Sequence, residues 1–431
     1  MKLNYKRTFF VGLAFLSICA FWQVYDSIIP LILRDSFGIG DTLSGAVMAA
    51  DNVLALFMLP LFGALSDRTH TRIGRRTPFI LAGTAAAVVF TILIPAADNM
   101  RSLPLFFIAV AFVLISMSTY RSPAVALMPD VTPKPLRSRA NAVINLMGAV
   151  GGILSLGLIT FLVPKENPNY LPLFGCVACI MAVCVILMRM RVDEPALRAE
   201  AEAAEAGAGA ADEAEKDEAQ AGSGAKLPKP VFRSLCFILV SVFFWFFGYN
   251  AVTTAFSKYA RVYWGLEGGL FAYALMVAQG AAIVAFLPMG AFASKYGRRK
   301  TILCGVALLT VSFGAAALFR SFSPVILGLF ALAGIAWAAI NVNSYPMVVE
   351  LSKGADIGKY TGYYYTFSML AQVLTPILSG FLLEHVGYHT LFPYAAVFVA
   401  LSFLTMLCVK HGDSRPVQKK KGLEAYDELD A

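Results

Sequence analysis

The chain has 431 residues, of which 58% are hydrophobic and only 14% are charged, a balance that excludes an ordinary soluble domain. Its formal net charge of +8 would favour a nucleic-acid partner if the protein were soluble. Instead, apolar runs long enough to cross a hydrocarbon core of roughly 30 Å recur along the chain. Such long, uniform runs suit helices rather than barrel strands. The sequence therefore predicts twelve transmembrane helices, at about 8–33, 42–65, 77–96, 103–128, 141–163, 171–190, 232–256, 270–293, 300–320, 323–349, 359–383 and 389–410.

A short basic phrase occurs once in each half of the chain. Residues 63–77 read GALSDRTHTRIGRRT and residues 290–300 read GAFASKYGRRK, and each copy follows the second span of its half. This repeat predicts an all-α integral membrane protein whose twelve transmembrane helices form two pseudo-symmetric six-helix bundles. The predicted segments are an N-terminal bundle (1–190), a flexible cytoplasmic linker (191–231), a C-terminal bundle (232–410) and a cytoplasmic tail (411–431). The linker has no apolar stripe, although its Ala and Glu residues favour transient helix.

The basic residues are distributed unequally between the two sides of the membrane. If alternate loops face opposite sides, six of the 35 Lys and Arg residues lie on one side, Arg121 lies inside a span, and the other 28 lie on the side of both tails. This asymmetry predicts a multi-pass protein of the cytoplasmic (plasma) membrane with both termini in the cytoplasm. The basic excess sets the orientation, and we expect no nucleic-acid partner. Lys258 and Arg261, near the outer end of span seven, are assigned to the membrane interface.

The repeated phrase is suited to a gate on the cytoplasmic side. Asp67 ends its helix, where it can meet a cation or the positive end of another helix, and Arg75 and Arg76 are in reach of acidic helix ends such as Asp130. Such a cluster would hold this side closed, and it would be weaker in the second half, where Ser294 replaces Asp67. Alternatively, the arginines only enforce topology. The predicted gate residues are Gly63, Asp67, Arg68, Gly74, Arg75, Arg76, Asp130, Arg139, Gly290, Gly297, Arg298, Arg299 and Glu350.

Both copies of the phrase match the loop signature of the major facilitator superfamily, and further residues resemble one group within it. That group is the glycoside–pentoside–hexuronide:cation symporters, above all the sucrose- and maltose-transporting branch that includes plant sucrose carriers. The resemblance covers all twelve spans and implies a glycoside moved together with protons. It rests on Asp51-Asn52, Pro60-x-x-Gly63, Ser66-Asp67-Arg68-Thr69, Arg72-x-Gly74-Arg75-Arg76-x-Pro78-Phe79, Arg121-x-Pro123 and Leu127 to Asp130.

The chain departs from this group at one position that bears on the coupling ion. Melibiose-type members carry two acidic cation ligands four residues apart on the second helix, the second just before the proline. Here Leu59 precedes Pro60, and Ala55 lies four residues before Leu59. This departure argues against a sodium site of that form. A single buried carboxylate at Asp51 suits a proton better.

Three ionisable residues lie inside predicted spans, where they are costly and therefore functional candidates. They are Asp26 in span one, Asp51 in span two and Arg121 in span four. An acid that moves between an apolar environment and a nearby arginine changes its proton affinity. We therefore predict proton coupling by Asp51, Asp26 and Arg121, with Asp51 as the principal carrier and Arg121 as its movable partner or as a sugar ligand. The alternative is a static ion pair that joins helices.

The predicted spans also contain the residue types that hold carbohydrates, namely carboxylates, amides, arginine and aromatic rings. Helix one offers this mixture, and the second half offers amides and aromatics, Trp337 among them. Any single aromatic can instead serve packing or face lipid. The predicted substrate-binding residues are Trp22, Gln23, Tyr25, Asp26, Asn52, Arg121, Tyr249, Asn250, Gln279, Asn341, Asn343, Tyr345 and Gln372.

The sequence predicts a proton-coupled sugar symporter with no enzymatic activity. No catalytic group and no nucleotide-binding glycine loop is evident, and Cys176-x-x-Cys179 lacks a second ligand pair, so we expect neither cofactor nor metal. The alternatives are a proton-coupled carrier or antiporter of a drug, organic acid or peptide, and a non-transporting sensor on the same scaffold. The expected partners are a small-molecule substrate, protons and membrane lipid. A monomer is expected, because each chain encloses a complete pathway.

Overall fold

A computed structural model describes residues 3–133, 136–165, 168–208, 228–351 and 357–412. It contains twelve helices that are long and apolar enough to cross a membrane, which confirms the predicted fold class. An additional helix, α7, follows the sixth of them, and a short 3₁₀ turn at Tyr388–Thr390 precedes the last. The helices are α1 Tyr5–Asp35, α2 Asp41–Arg68, α3 Thr77–Asn99, α4 Leu103–Asp130, α5 Arg137–Leu162, α6 Leu171–Arg191, α7 Glu194–Ala208, α8 Lys229–Val262, α9 Phe271–Tyr296, α10 Arg298–Ala316, α11 Pro324–Glu350, α12 Ile357–His385 and α13 Leu391–Leu407.

Several helices begin at a proline for a simple reason. The first N–H groups of a helix have no intrahelical acceptor, so the N–H that proline lacks is not missed there. Pro78, Pro104, Pro172 and Pro230 occupy the second position of α3, α4, α6 and α8, and Pro324 the first position of α11. These prolines fix where the chain re-enters the membrane.

The two halves use the same packing scheme. In the first half α1 packs on α5 and α6, α3 on α4 and α6, and α2 on α4. Each of these pairs has its counterpart in the second half, where α8 packs on α12 and α13, α10 on α11 and α13, and α9 on α11. Between the halves, α2 packs on α12, α5 on α9 and α1 on α8, which is again a symmetric set. The helices therefore form the two pseudo-symmetric six-helix bundles that the repeat predicts.

The bundle has two ends. We call the end that carries Tyr5, the loop 69–76, Gly297 and Leu407 the terminal face, and the end that carries Asp35, Asp41 and the loop 263–270 the distal face. The first and last described residues, Leu3 and Gly412, lie at the terminal face, as an even number of spans requires. There His411 Nδ1 lies 2.9 Å from Ser234 Oγ near the start of α8.

Part of the predicted linker is ordered against the N-terminal bundle. Residues 194–208 form α7, and its Glu194 is only 1% exposed. Leu197 packs on the apolar core, and Arg7 Nη1 of α1 donates to Glu200 Oε2 at 2.7 Å. Apolar periodicity alone does not predict this contact, because a charged residue anchors the helix. Residues 209–227 of the linker and 413–431 of the tail lie outside the described residues.

Candidate functional site

The basic phrase of the first half forms a compact charge cluster at the terminal face. Asp130, at the end of α4, accepts from Arg75 Nη2 at 2.6 Å and from Arg76 Nε at 2.8 Å. Asp67, at the end of α2, pairs with Arg76, and Arg76 is only 5% exposed. The hydrogen bonds to Asp130 raise the pKa of Arg75 above its usual value, so this guanidinium stays charged. The predicted reach of both arginines to Asp130 is confirmed.

Glu194 of α7 completes this cluster, and the sequence analysis missed it. Its carboxylate accepts the backbone N–H groups of Arg75 at 2.8 Å, Arg76 at 2.9 Å and Thr77 at 2.8 Å, and the Thr77 hydroxyl at 2.7 Å. These groups surround the start of α3, where unpaired N–H groups and the helix dipole favour an anion. The one available signal was an acid immediately before a proline just after the sixth span.

In the first half, ion pairs within the N-terminal bundle join the gate residues Asp67, Arg75, Arg76 and Asp130, whereas Arg68 is exposed. Arg76 Nη1 reaches the Gly63 carbonyl at 3.3 Å, and this arginine links the ends of α2 and α4. In the second half Arg298 pairs with Glu350, while Arg299 Nη2 donates to the Leu407 carbonyl at 2.8 Å. Each cluster thus braces its own bundle in this structure. Closure of the cytoplasmic side by these residues stays a prediction, and the side chain of Arg139 lies outside the described part of the chain.

Two glycines of the phrase have a backbone conformation that other residues rarely adopt. Gly74 has a φ of 112° and Gly297 a φ of 97°. A β-carbon at Gly74 would also overlap the carboxylate of Glu194. The glycine therefore permits both the turn and the capping of α3.

We expect Gly74→Ala to destabilise the protein by about 1–3 kcal/mol, because it strains the backbone and displaces Glu194. The measurement is the melting temperature in detergent. Gly175→Ala, in α6 with nothing within 4 Å of the added carbon, is the matched control and should leave the melting temperature unchanged or raise it. Equal melting temperatures for Gly74→Ala and the parent would contradict this role.

A second group of predicted site residues lies inside the N-terminal bundle. Asp26, Asp51 and Arg121 are half-buried and interact electrostatically with one another. No ion pair joins Arg121 to either carboxylate among the residues that the structure describes; its guanidinium lies 5.7 Å from the ring centre of Trp22. The static ion pair is therefore not formed in this state.

Asn52 is occupied by its neighbour rather than open to a ligand. Its backbone N–H and its side-chain Nδ2 donate to Asp51 Oδ1 at 2.6 Å and 2.8 Å. These hydrogen bonds fix the orientation of the carboxylate. Asn52 thus orients the Asp51 carboxylate in this structure.

The C-terminal bundle contributes an aromatic wall, formed by Tyr249, Trp337 and Phe246, to the middle part of the membrane. Tyr249 of α8 and Trp337 of α11 stack with ring centres 3.7 Å apart and planes 4° apart, and Phe246 meets Trp337 edge-on at 5.3 Å. A helix rises 1.5 Å per residue, so Tyr249 and Trp337 lie about 20 Å from the distal ends of their helices. Asp26 and Asp51 lie about 14–15 Å from the distal ends of theirs. Charged groups on one bundle and aromatic rings on the other thus share the middle of the membrane.

Four predicted amide ligands make weak hydrogen bonds or none within the described residues. Asn250 Nδ2 is buried and has no partner within the described residues, an arrangement that leaves a donor for a ligand. Gln279 Nε2 donates to the Ala149 carbonyl of the other bundle at 3.4 Å, and Gln372 Nε2 to the Ser368 carbonyl at 3.4 Å. On the N-terminal bundle, Gln23 donates to Ser27 at 3.3 Å. These weak bonds leave the amides able to exchange partners.

Several predicted ligands lie elsewhere. Asn343 is 2% exposed and donates to the Ala339 carbonyl of its own helix at 2.8 Å. Tyr345 lies 3.1 Å from Thr361 Oγ1, near the terminal face. Tyr25 is fully buried against Phe21. Asn341, by contrast, is exposed at its position on α11. A list of polar residues within one span does not show which of them face the site, because residues two apart on a helix point in different directions.

Lys258 was assigned to the membrane interface, and this prediction is wrong. The side chain is only 3% exposed and lies between the two bundles, where Nζ donates to Asp41 Oδ1 of α2 at 2.8 Å. The lysine stays buried because its charge is paired there.

Comparison with known proteins agrees with this architecture. The family model described as Major Facilitator Superfamily matches residues 11–287 and again residues 264–427. The Synechocystis "Uncharacterized symporter sll1374" is 28% identical over 38% of this chain and 32% of its own length. The Arabidopsis thaliana "Sucrose transport protein SUC3" is 27% identical over 31% and 25%. The chain thus spans about a third or less of these two proteins.

A sequence match over most of the chain and a match to a solved structure agree with the family model. The human "Solute carrier family 45 member 3" is 24% identical over 77% of this chain and 68% of its own length. The xylose transporter XylE from E. coli, solved in an inward open conformation, superposes with a TM-score of 0.67 at 15% identity, over 99% of this chain and 98% of that one. The family and its transporter folds confirm the expectation of a transporter rather than an enzyme. With the family model matching both halves, the chain belongs to the major facilitator superfamily.

Proposed function

We propose that the protein is a secondary active transporter that moves a glycoside together with protons by alternating access. The observation that carries this proposal is the division of the site. The N-terminal bundle carries Asp26, Asp51 and Arg121 within its spans, and the C-terminal bundle carries stacked aromatic rings and amides within its own. The ionisable residues of the N-terminal bundle are suited to a proton, and the aromatic rings and amides of the C-terminal bundle are suited to a sugar.

The proton part of the proposal rests on Asp51. It is half-buried, its carboxylate is oriented by Asn52, and Arg121 lies within electrostatic range without an ion pair. An acid in this position responds strongly to movement of the arginine, because charges interact far more strongly in a low dielectric. A change in that distance on each side of the cycle would load and release a proton.

The sugar part rests on Trp337 and Tyr249. Their stacked rings supply a flat apolar surface at mid-membrane, and the unpartnered Nδ2 of Asn250 lies next to Tyr249 in the chain. A pyranose presents an apolar face ringed by hydroxyls, so it needs such a surface and such donors together. The similarity to a plant sucrose transport protein supports the same solute class.

A second candidate solute is a small organic acid. Arg121 stacks on Trp22 and has no carboxylate partner in the described structure, so its charge is available to an anion. This alternative predicts uptake of a carboxylate-bearing solute rather than of a neutral glycoside. In both cases we propose the cytoplasmic membrane and cytoplasmic termini, on the basis of the basic-residue asymmetry. We also propose a monomer, because one chain supplies both bundles.

The test is uptake of radiolabelled solutes into proteoliposomes. Sucrose, maltose, other glycosides and a set of organic acids are each supplied with an inward proton gradient, with a sodium gradient, and with neither. Accumulation of a glycoside driven only by protons supports the proposal. Accumulation of an organic acid alone would favour the second candidate, and uptake without dependence on either gradient would overturn the coupling.

We expect Trp337→Ala to raise the half-saturation concentration for the glycoside about tenfold, since an aromatic contact of roughly 1–1.5 kcal/mol is lost. Trp337→Phe should keep most of the affinity, because a ring still stacks on Tyr249. The measurement is counterflow over a range of solute concentrations. The matched control is Phe57→Ala, since Phe57 is 72% exposed on α2 and should not alter half-saturation. An unchanged value in Trp337→Ala would remove this residue from the sugar site.

A further inference from the structure

The polar contacts that join the two bundles are concentrated at the distal face. Away from this face, one of the described hydrogen bonds and ion pairs crosses between the bundles, from Gln279 Nε2 to the Ala149 carbonyl near mid-membrane. At the distal face the crossing contacts are Asp41 with Lys258 and Tyr388, Ser44 with Lys258, Asp35 with Arg261, Arg261 with Tyr170, and Thr42 with Glu384. The described structure is therefore closed by contacts at this face.

The Asp41–Lys258 ion pair is the most deeply buried of these contacts. Asp41 is 7% exposed and Lys258 is 3% exposed. Lys258 Nζ donates to Asp41 Oδ1 at 2.8 Å and approaches Ser44 Oγ at 3.5 Å, while Tyr388 OH donates to the second carboxylate oxygen at 2.5 Å. Both carboxylate oxygens are thus held by the other bundle. A buried charge that loses such a partner is strongly unfavourable.

The flanking contacts of Asp35 and Glu384 are also electrostatic. Asp35 of the N-terminal bundle forms an ion pair with Arg261, with Oδ2 3.0 Å from Nη1. Glu384 of α12 reverses the roles, because its carboxylate accepts the Thr42 backbone N–H at 2.7 Å, at the positive start of α2. Each contact places an anion against a cation or a helix N-terminus of the opposite bundle, so the contacts form and break together when the bundles separate.

Close backbone packing accompanies the charges. A β-carbon at Gly45 of α2 would overlap the Pro376 carbonyl of α12, and one at Gly380 of α12 would overlap the Asp41 carbonyl of α2. The same crossing encloses a cavity of about 10 Å³ lined in part by Ser44, Lys258 and Ser379. There is no space for a larger side chain while the distal face is closed.

We propose that the Asp41–Lys258 pair is a charge lock that holds the distal face closed, with the Gly45 and Gly380 contacts as its steric counterpart. The lock is built from one residue of each bundle, so it exists only in the closed arrangement. In the opened arrangement both charges reach water and each is solvated separately. Removal of one partner therefore shifts the population of the transporter toward the state that is open at the distal face.

The test uses a cysteine inside the lock. Ser379 is 3% exposed, and Ser379→Cys is placed in a chain whose seven native cysteines are replaced. A membrane-impermeant maleimide is added at the distal side of proteoliposomes, and the labelling rate is measured. Lys258→Met should raise this rate about tenfold or more, as expected for a population shift of that size. Exchange of the two charges, with Asp41→Lys and Lys258→Asp together, should restore a slow rate.

Two further variants complete the experiment. Gly380→Ala opens the same face by steric overlap without touching a charge, and it should also accelerate labelling. Arg320→Met removes an exposed cation at the distal face and should leave the rate unchanged. The proposal is overturned if Lys258→Met labels as slowly as the parent, or if the charge-exchanged chain labels as fast as Lys258→Met. Labelling needs no solute, so such a failure would leave the glycoside proposal untouched.

Discussion

Asp51→Asn is expected to abolish proton-driven accumulation while leaving solute exchange intact. Asparagine keeps the size and polarity of the side chain but holds no exchangeable charge. A pH gradient of one unit corresponds to about 1.4 kcal/mol, or roughly tenfold accumulation for one proton per solute. In Asp51→Asn the accumulation ratio should therefore fall to about one. The measurement is steady-state uptake in proteoliposomes, with counterflow of labelled solute in parallel.

The control for Asp51 is another acid embedded in the bundle. Asp98, in α3 near the distal face, is 5% exposed and lies away from the aromatic wall, so Asp98→Asn should retain accumulation. Asp26→Asn distinguishes the two candidate carriers, because a loss in that variant alone would transfer the coupling role to Asp26. Full accumulation in Asp51→Asn would remove Asp51 from proton coupling.

Glu194→Ala should cause the largest loss of stability among the substitutions considered. Four donors around the start of α3 lose a buried anionic acceptor, and the guanidinium of Arg76 stays buried beside them. The variant loses hydrogen bonds to a charged group and a buried ionic contact. We therefore expect its free energy of unfolding to fall by about 3 kcal/mol or more. A clearly lowered melting temperature in detergent, together with loss of the α7 contact, is the expected result.

The matched control for Glu194 lies on the same helix. Glu202 pairs with Arg198 Nε at 2.7 Å one helical turn away, and its side chain is 63% exposed. Such exposed pairs contribute only about 0.3–0.5 kcal/mol, so Glu202→Ala should change the melting temperature little. Equal effects of the two substitutions would show that α7 contributes as a whole rather than through its buried carboxylate.

The charge clusters of the terminal face have a structural role that is visible in this state. Arg76 joins α2 to α4 through Asp67 and Asp130, and Glu194 joins α7 to α3. These contacts join α2, α3, α4 and α7 at the terminal face. In the proposed alternating-access cycle, they would let the four helices move together.

The sequence by itself determined the class of protein, the number of spans and the repeat. Hydropathy marks the hydrocarbon-facing part of a helix, so the predicted span at about 232–256 is shorter than α8 at Lys229–Val262. The added turns carry Lys258 and Arg261, whose long side chains find acidic partners beyond the apolar run. The contact of Arg75 and Arg76 with Asp130 was also predictable, because all three stand next to helix ends at one face.

Only the tertiary structure decided which polar residues meet. Glu194 and the start of α3 are separated by more than a hundred residues, as are Asp41 and Lys258, and neither pair has a local pattern. The structure likewise separates Trp337, which stacks on Tyr249 at mid-membrane, from Asn343, which is bonded to its own helix. Sequence period places a side chain on a helix face, but the packing of one helix against another determines whether that face lines a site, meets the other bundle or faces lipid.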